Sequence, residues 1–131
     1  MDANTSSHPY LPADQAESLL SDIATWGNTT TIIIHGGSVF EFKGDFPEGK
    51  NAQGYYNLKG KTGFEGHLKL DTLDRIELIT KLHRGRLSHA FSFIKDDEAV
   101  FKIFLGRDAD GNLIEPQVAR FHQLEETAKN D

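Results

Sequence analysis

The sequence predicts an α+β domain in which a run of antiparallel strands is flanked by an N-terminal and a C-terminal helix. Three observations predict it. Ala16, Leu19, Leu20 and Ile23 recur at helical spacing and make one apolar face. From Thr29 to about residue 105 the period falls to two, with β-branched and aromatic residues in alternate places. A helical stripe returns after Pro116, a residue whose missing N–H costs nothing in a first turn.

Residues 1–13 read as a flexible polar arm and residues 14–131 as one domain. Asp14 opens the first helix, with Glu17 three residues on in a capping-box pattern. Trp26 and Gly27 end it, the glycine being suited to a C-cap. "TTTIIIH" (residues 29–35) is β-branched through its first six places and reads as a strand. "VFEFKG" alternates, with Phe40 and Phe42 on one face and Glu41 and Lys43 on the other. "GDFPEGKNAQG" is loop-like in composition. "YYNLKG" and "EGHLKL" read as short strands joined through Thr62 and Gly63. "RIELITKLH" reads as a strand rather than a helix, because Ile76, Leu78 and Thr80 alternate. "SHAFSFIK" puts His89, Phe91 and Phe93 on one face, and Asp96-Asp97 turns the chain. "AVFKIFLG" is apolar on both faces, which predicts a central strand. Asp110-Gly111 makes a tight turn. Val118, Phe121 and Ala128, with Leu124 beside them, stripe the last helix.

A chain of 131 residues that is 37% hydrophobic suits one soluble domain with a core. The net charge of −6 disfavours a nucleic-acid partner, which needs a basic surface. Basic residues do gather in "KLHRGR" (Lys81 to Arg86), as a solvated turn or as a place for a small anion. There is no cysteine, which excludes disulfides, thiolate metal sites and a thiol nucleophile. No apolar run approaches the ~20 residues of a membrane span. The polar, acidic N-terminus does not read as a signal peptide, so a cytoplasmic location is expected.

Three motifs fail on inspection. Gly60-Lys61-Thr62 has the ending of a phosphate-binding loop, but the required earlier glycine would stand at Tyr55, and the glycine is Gly54. "DADGN" (residues 108–112) opens like a calcium loop, yet its glycine comes fourth and Ala119 occupies the glutamate position. Ser38, in "HGGS", lacks the Gly-x-Ser-x-Gly elbow of a hydrolase.

Among the six histidines, His8 lies in the arm, His122 edges the last helix, and His83 and His89 flank the basic turn without a third ligand. His35 ends an apolar strand just before two glycines, where a flat ligand could approach the main chain. His67 shares a strand face with Lys69, while Leu68 and Leu70 face the core, so His67 projects from the outer face. On residue type alone, each is more often structural or solvent-facing than a ligand.

The stretch from "WGNTTTIIIHGGSVFEFKG" through "GYYNLKGKTGFEGHLKL", and later "KIFLGRDADGNLIEPQVARFHQL", resembles the HutX/ChuX family of intracellular heme-utilization carriers. The likeness runs from about Ala16 to Ala128. It implies a cytoplasmic heme carrier with a heme-utilization-like fold, His35 and His67 as ligands to the heme iron, and a homodimer whose sheets combine. It also implies heme donor or acceptor proteins as partners, and no membrane insertion. Neutral imidazole is a suitable axial ligand, and phenylalanines with the Tyr55-Tyr56 pair could wall the macrocycle. Lys61, Lys69 and Arg75 are sequence-near cations for the propionates. Family members carry a longer segment ahead of the tryptophan helix than the short arm seen here, an expectation that affinity or assembly differs. Two other readings stay open: a heme-degrading enzyme using the same pocket, and an assembly domain of the same fold without the ligand.

Overall fold

The structure, a computed structural model, describes residues 8–61 and 63–130. Along the chain come β1 (Tyr10–Pro12), a 3-10 turn (Ala13–Gln15), α1 (Ala16–Ile23), β2 (Asn28–His35) and β3 (Ser38–Asp45). There follow β4 (Glu48–Ala52), β5 (Tyr55–Lys59), β6 (Glu65–Leu68), β7 (Arg75–His83), β8 (Arg86–Lys95), β9 (Glu98–Leu105) and α2 (Glu115–Thr127). A six-stranded sheet has the order β1-β7-β8-β9-β2-β3, and β4-β5-β6 make a second, three-stranded sheet. Every pairing is antiparallel, so the α+β expectation holds.

One cross-strand row shows how the large sheet is covered. Leu11, Ile76, Phe93, Phe101, Ile33 and Phe40 stand opposite one another from β1 to β3. The first four are buried, Ile33 is half-buried, and Phe40 is 51% exposed. The core therefore sits under β1, β7, β8 and β9, and its cover runs out at β2 and β3. Leu19, Leu20 and Ile23 of α1, Phe121 of α2, and Tyr56 and Leu58 of the small sheet supply that cover. Stacking of Phe93 on Phe101, with ring centroids 4.3 Å apart, ties β8 to β9.

α1 forms because its four apolar residues share one face, all four buried. The expected cap at Asp14 is not made: Asp14 lies in the 3-10 turn, and Gln15 flanks the helix without a side-chain cap. Gly27, at φ +84°, takes the left-handed conformation that ends the following turn, as its residue type predicted. α2 is held by a residue its apolar stripe did not announce. Gln117 is buried; its Oε1 accepts from Gly106 N–H (2.7 Å) and its Nε2 donates to Trp26 O (3.1 Å) and Asn28 O (2.8 Å). Three backbone groups at the start of β2 and the end of β9 are thus joined by one amide.

Other expectations need correction. The end of the arm is not loose: β1 pairs with β7 and Leu11 is buried, while residues 1–7 lie outside the described residues. "GDFPEGKNAQG" is not all loop. Glu48–Ala52 form β4 and Phe46 is core, because the strand pairing with β5 overrides a turn-like composition. β9 is central, as expected, but its second face is not wholly apolar: Lys102 and Phe104 alternate with buried Phe101, Ile103 and Leu105 and are only half-buried.

Candidate functional site

The turn between β5 and β6 explains Gly60. A side chain there would run into the Phe64 carbonyl, so the glycine serves a close backbone approach and not a phosphate. Thr62 lies outside the described residues.

In the small sheet the alternation separates two faces. Tyr56 stands opposite Leu68 and Leu58 opposite Gly66; Tyr56 and Leu58 are buried. Asn57 stands opposite His67 on the other face, and His67 is exposed, as expected for a strand whose leucine faces the core. Asn57 Nδ2 lies 3.1 Å from Lys50 O, 3.2 Å from Ala52 O and 3.1 Å from Tyr55 O. Carbonyls only accept, so that end of the amide is the NH₂, and Oδ1 is the atom 2.6 Å from His67 Nδ1. A carboxamide oxygen also only accepts. His67 therefore donates from Nδ1–H, so that in the neutral ring the lone pair falls on Nε2, and the ring is exposed.

Tyr55 and Lys69 complete this cluster. The Tyr55 ring meets His67 edge-on at 6.2 Å, and Lys69 Nζ lies 5.2 Å from the centre of the same ring. Lys69 also donates to Gly54 O (2.9 Å) and pairs with Asp71 (3.2 Å). Asn57 was missed from the sequence; the signal was its place two residues past Tyr55, opposite His67. Tyr56, expected to help wall a ligand, belongs to the core, and burial raises its phenol pKa.

His35 is exposed at the end of β2, on the face that carries Ile33 and Phe40. It lines an open cleft of about 510 Å³ with Ile33, Lys95, Glu98 and Val100. Ile33 and Val100 also line a smaller cleft of about 200 Å³ between the two sheets, together with Phe46, Phe64, Leu68 and Phe101. Neither cleft includes His67, whose ring points to the opposite face from Leu68. The expectation that His35 and His67 share one cleft is thus not met within the described chain. Lys95, beside His35, is a cation the sequence reading did not single out. Arg75 is engaged by Glu77 (2.8 Å) and Asp97 (3.5 Å), whereas Lys61 is exposed and pairs with no described residue.

His89 contrasts with His67. It is buried, its Nδ1 lies 2.8 Å from the Thr80 hydroxyl, and its Nε2 has no partner. Burial lowers its pKa; His122 and Arg107 lower it further, against an opposing pull from Glu125. Packed on Phe121 at 4.8 Å, it is a core residue and not a ligand.

No helix among the described residues is long and apolar enough to cross a membrane, and no group of three or more of them is arranged to hold a metal ion. The family model described as "Haem utilisation ChuX/HutX" matches residues 10–124. Over 121 residues the chain is 46% identical to the intracellular heme transport protein HutX of Vibrio cholerae serotype O1, covering 91% of this chain and 63% of that protein. The chain thus spans somewhat under two thirds of that relative's length. A crystal structure of ChuX superposes with a TM-score of 0.85 at 34% identity, covering 93% of this chain and 77% of the other. A structure titled as the heme binding protein ChuX gives a TM-score of 0.83 at 33% identity, with the same coverage. A fold of two antiparallel sheets closed by two helices, a matching family model across most of its length and a 46% identical relative place this chain in the ChuX/HutX haem utilisation family.

Proposed function

We propose that the chain binds heme reversibly and carries it in the cytoplasm, taking it from a donor protein and passing it to an acceptor. The observation that carries the reading is the hydrogen bond from His67 Nδ1–H to Asn57 Oδ1. A metal-ligating imidazole characteristically spends its other ring nitrogen on such a partner, which sets the tautomer and the ring orientation. Nε2 of His67 is left as a neutral donor on an open surface, suited to heme iron and to easy release. Tyr55 stands edge-on to His67 as an aromatic wall, and Lys69 is the rim cation nearest at hand; Lys61, at the β5–β6 turn, is a second. Arg75 is the weakest of the three cations because two carboxylates hold it.

His35 enters the same iron site only if a second copy contributes it, since within one chain it faces a different cleft. A homodimer supplies that copy. Its support is β3, an edge strand with Val39 57%, Phe40 51% and Phe42 38% exposed. Such an edge is a template for pairing with another chain. Phe40→Lys is expected to yield a monomer by sedimentation; a wild-type monomer would remove the dimer from the reading.

A carrier is favoured over a degrading enzyme because the 46% identical relative is named for transport. Hemin titration followed by absorption tests the site. Saturation at a fixed stoichiometry is expected, lost or strongly weakened in His67→Ala. His67→Ala binding hemin like wild type would remove the assignment. Reductant under air should then shift the bound heme's absorption bands, through the change of iron oxidation state, without bleaching them; bleaching to linear products would favour the enzyme.

A further inference from the structure

The open face of the large sheet holds a second concavity, on the other side from the cover of α1, α2 and the small sheet. It is a groove of about 740 Å³ along β2, β9 and β8, overhung by the β7–β8 hairpin. That volume lies within the ~300–1,000 Å³ of small-molecule sites. Its apolar lining includes Ile32, Phe104 and Leu82. Its charged lining is Lys43, Lys81, Arg84, Arg86 and Arg107 against one carboxylate, Glu41. None of those five cations forms an ion pair with a described residue, although the chain carries net charge −6.

Two details show cations held where like charge accumulates. Arg86 and Arg107 both donate to the Gly111 carbonyl, and Arg107 also donates to Leu87 O (2.6 Å). Two guanidiniums are thereby fixed side by side on neutral acceptors. Arg84 has a left-handed φ of 54°, followed by Gly85 at φ 76°. Asparagine or glycine suits the first place of such a turn; a long side chain there costs backbone energy. An arginine kept at that position projects from the tip of the hairpin beside the groove.

We propose that this groove is a separate binding site for an amphipathic organic anion, with an apolar body on the floor of Ile32 and Phe104 and carboxylates at the arginine and lysine rim. Guanidinium groups present paired donors to a carboxylate. A concave, low-dielectric wall focuses their field, which is how an acidic chain presents one attractive spot to an anion. A nucleic acid needs a far wider basic surface than one groove. No iron ligand is involved, so the site stands apart from His67 and from the heme reading.

Two fluorescent probes test it on the full chain: protoporphyrin IX, a flat dicarboxylate without metal, and cis-parinaric acid, an extended monocarboxylate. The expected result is one saturable site for at least one probe, the flat or the extended body being named by which one binds. Arg84→Asn together with Lys81→Gln should weaken it by roughly tenfold, and raising the ionic strength from ~0.05 to ~0.3 M should weaken it severalfold. Arg84→Asn suits the turn better than arginine, so its loss of binding comes with unchanged or higher thermal stability. His67→Ala should leave the binding as it was. Failure of both probes to saturate, binding that survives the double substitution, or binding lost with His67→Ala would each overturn the proposal. The last outcome would assign the probe to the heme site instead.

Discussion

Ile103 and Phe104 are neighbours on β9, yet one is fully buried and the other lines an open groove. The same division runs through the small sheet, where Tyr56 is core and Tyr55 stands exposed beside His67. In both sheets the covered face carries large apolar side chains and the uncovered face carries the cations, the amide and the histidine. Stability and chemistry are thus assigned to alternate residues of the same strands. Changes on the two kinds of face should have separable consequences.

The largest expected effect is on the covered side. Phe91→Ala removes a fully buried ring that meets Trp26 at 5.9 Å and Phe121 at 5.1 Å. It should cost about 3–5 kcal/mol in denaturant unfolding. Gln117→Ala comes next: three backbone groups lose their partner, and a loss of about 2–3 kcal/mol is expected from the same measurement. Either variant unfolding like wild type would break the division.

On the open side, Asn57→Leu should leave His67 without its orienting acceptor and weaken hemin binding by about 10–100-fold. A titration that matches wild type would show that the amide does not serve the ring. The buried histidine offers a pH contrast. His89 has its folded pKa lowered, mainly by burial, with His122, Glu125 and Arg107 as the charged groups acting on it. The neutral form is favoured in the folded state, so the unfolded chain binds the proton more readily. Its contribution to stability is present above ~6.5, the unfolded value, and is lost as pH falls from there toward the lowered one. Urea midpoints measured from pH ~7.5 to ~5 should fall less steeply in His89→Gln. An unchanged slope would place the acid sensitivity elsewhere. The smallest effect belongs to Val100→Ala at the rim of the cleft between the two sheets, expected within about 0.5 kcal/mol of wild type because the side chain is already 43% exposed.

Much of this was legible from residues alone. The β-branched run at residues 29–35, the alternation at residues 88–95 and the apolar run at residues 99–106 marked those strands, since residue type and period are local properties. The position of His67 opposite the leucine face was readable for the same reason. The strand at Glu48–Ala52 was not, because glycine, asparagine and lysine there have no strand preference of their own and form one only by pairing with β5. The Asp14 cap failed because the chain enters α1 through a 3-10 turn that follows β1.

What the sequence by itself determined is the two helices, the strand run between them, and, where apolar residues alternate, which side of a strand is apolar and so the outward direction of His67. Only the tertiary structure decided that His35 and His67 open onto different faces, that Asn57 sets the tautomer of His67, and that cations from β3, β7, β8 and the end of β9 line one groove. The reason is physical. Side-chain direction follows from a two-residue period along the chain, whereas proximity between residues tens of positions apart depends on strand order and on which sheet each strand joins.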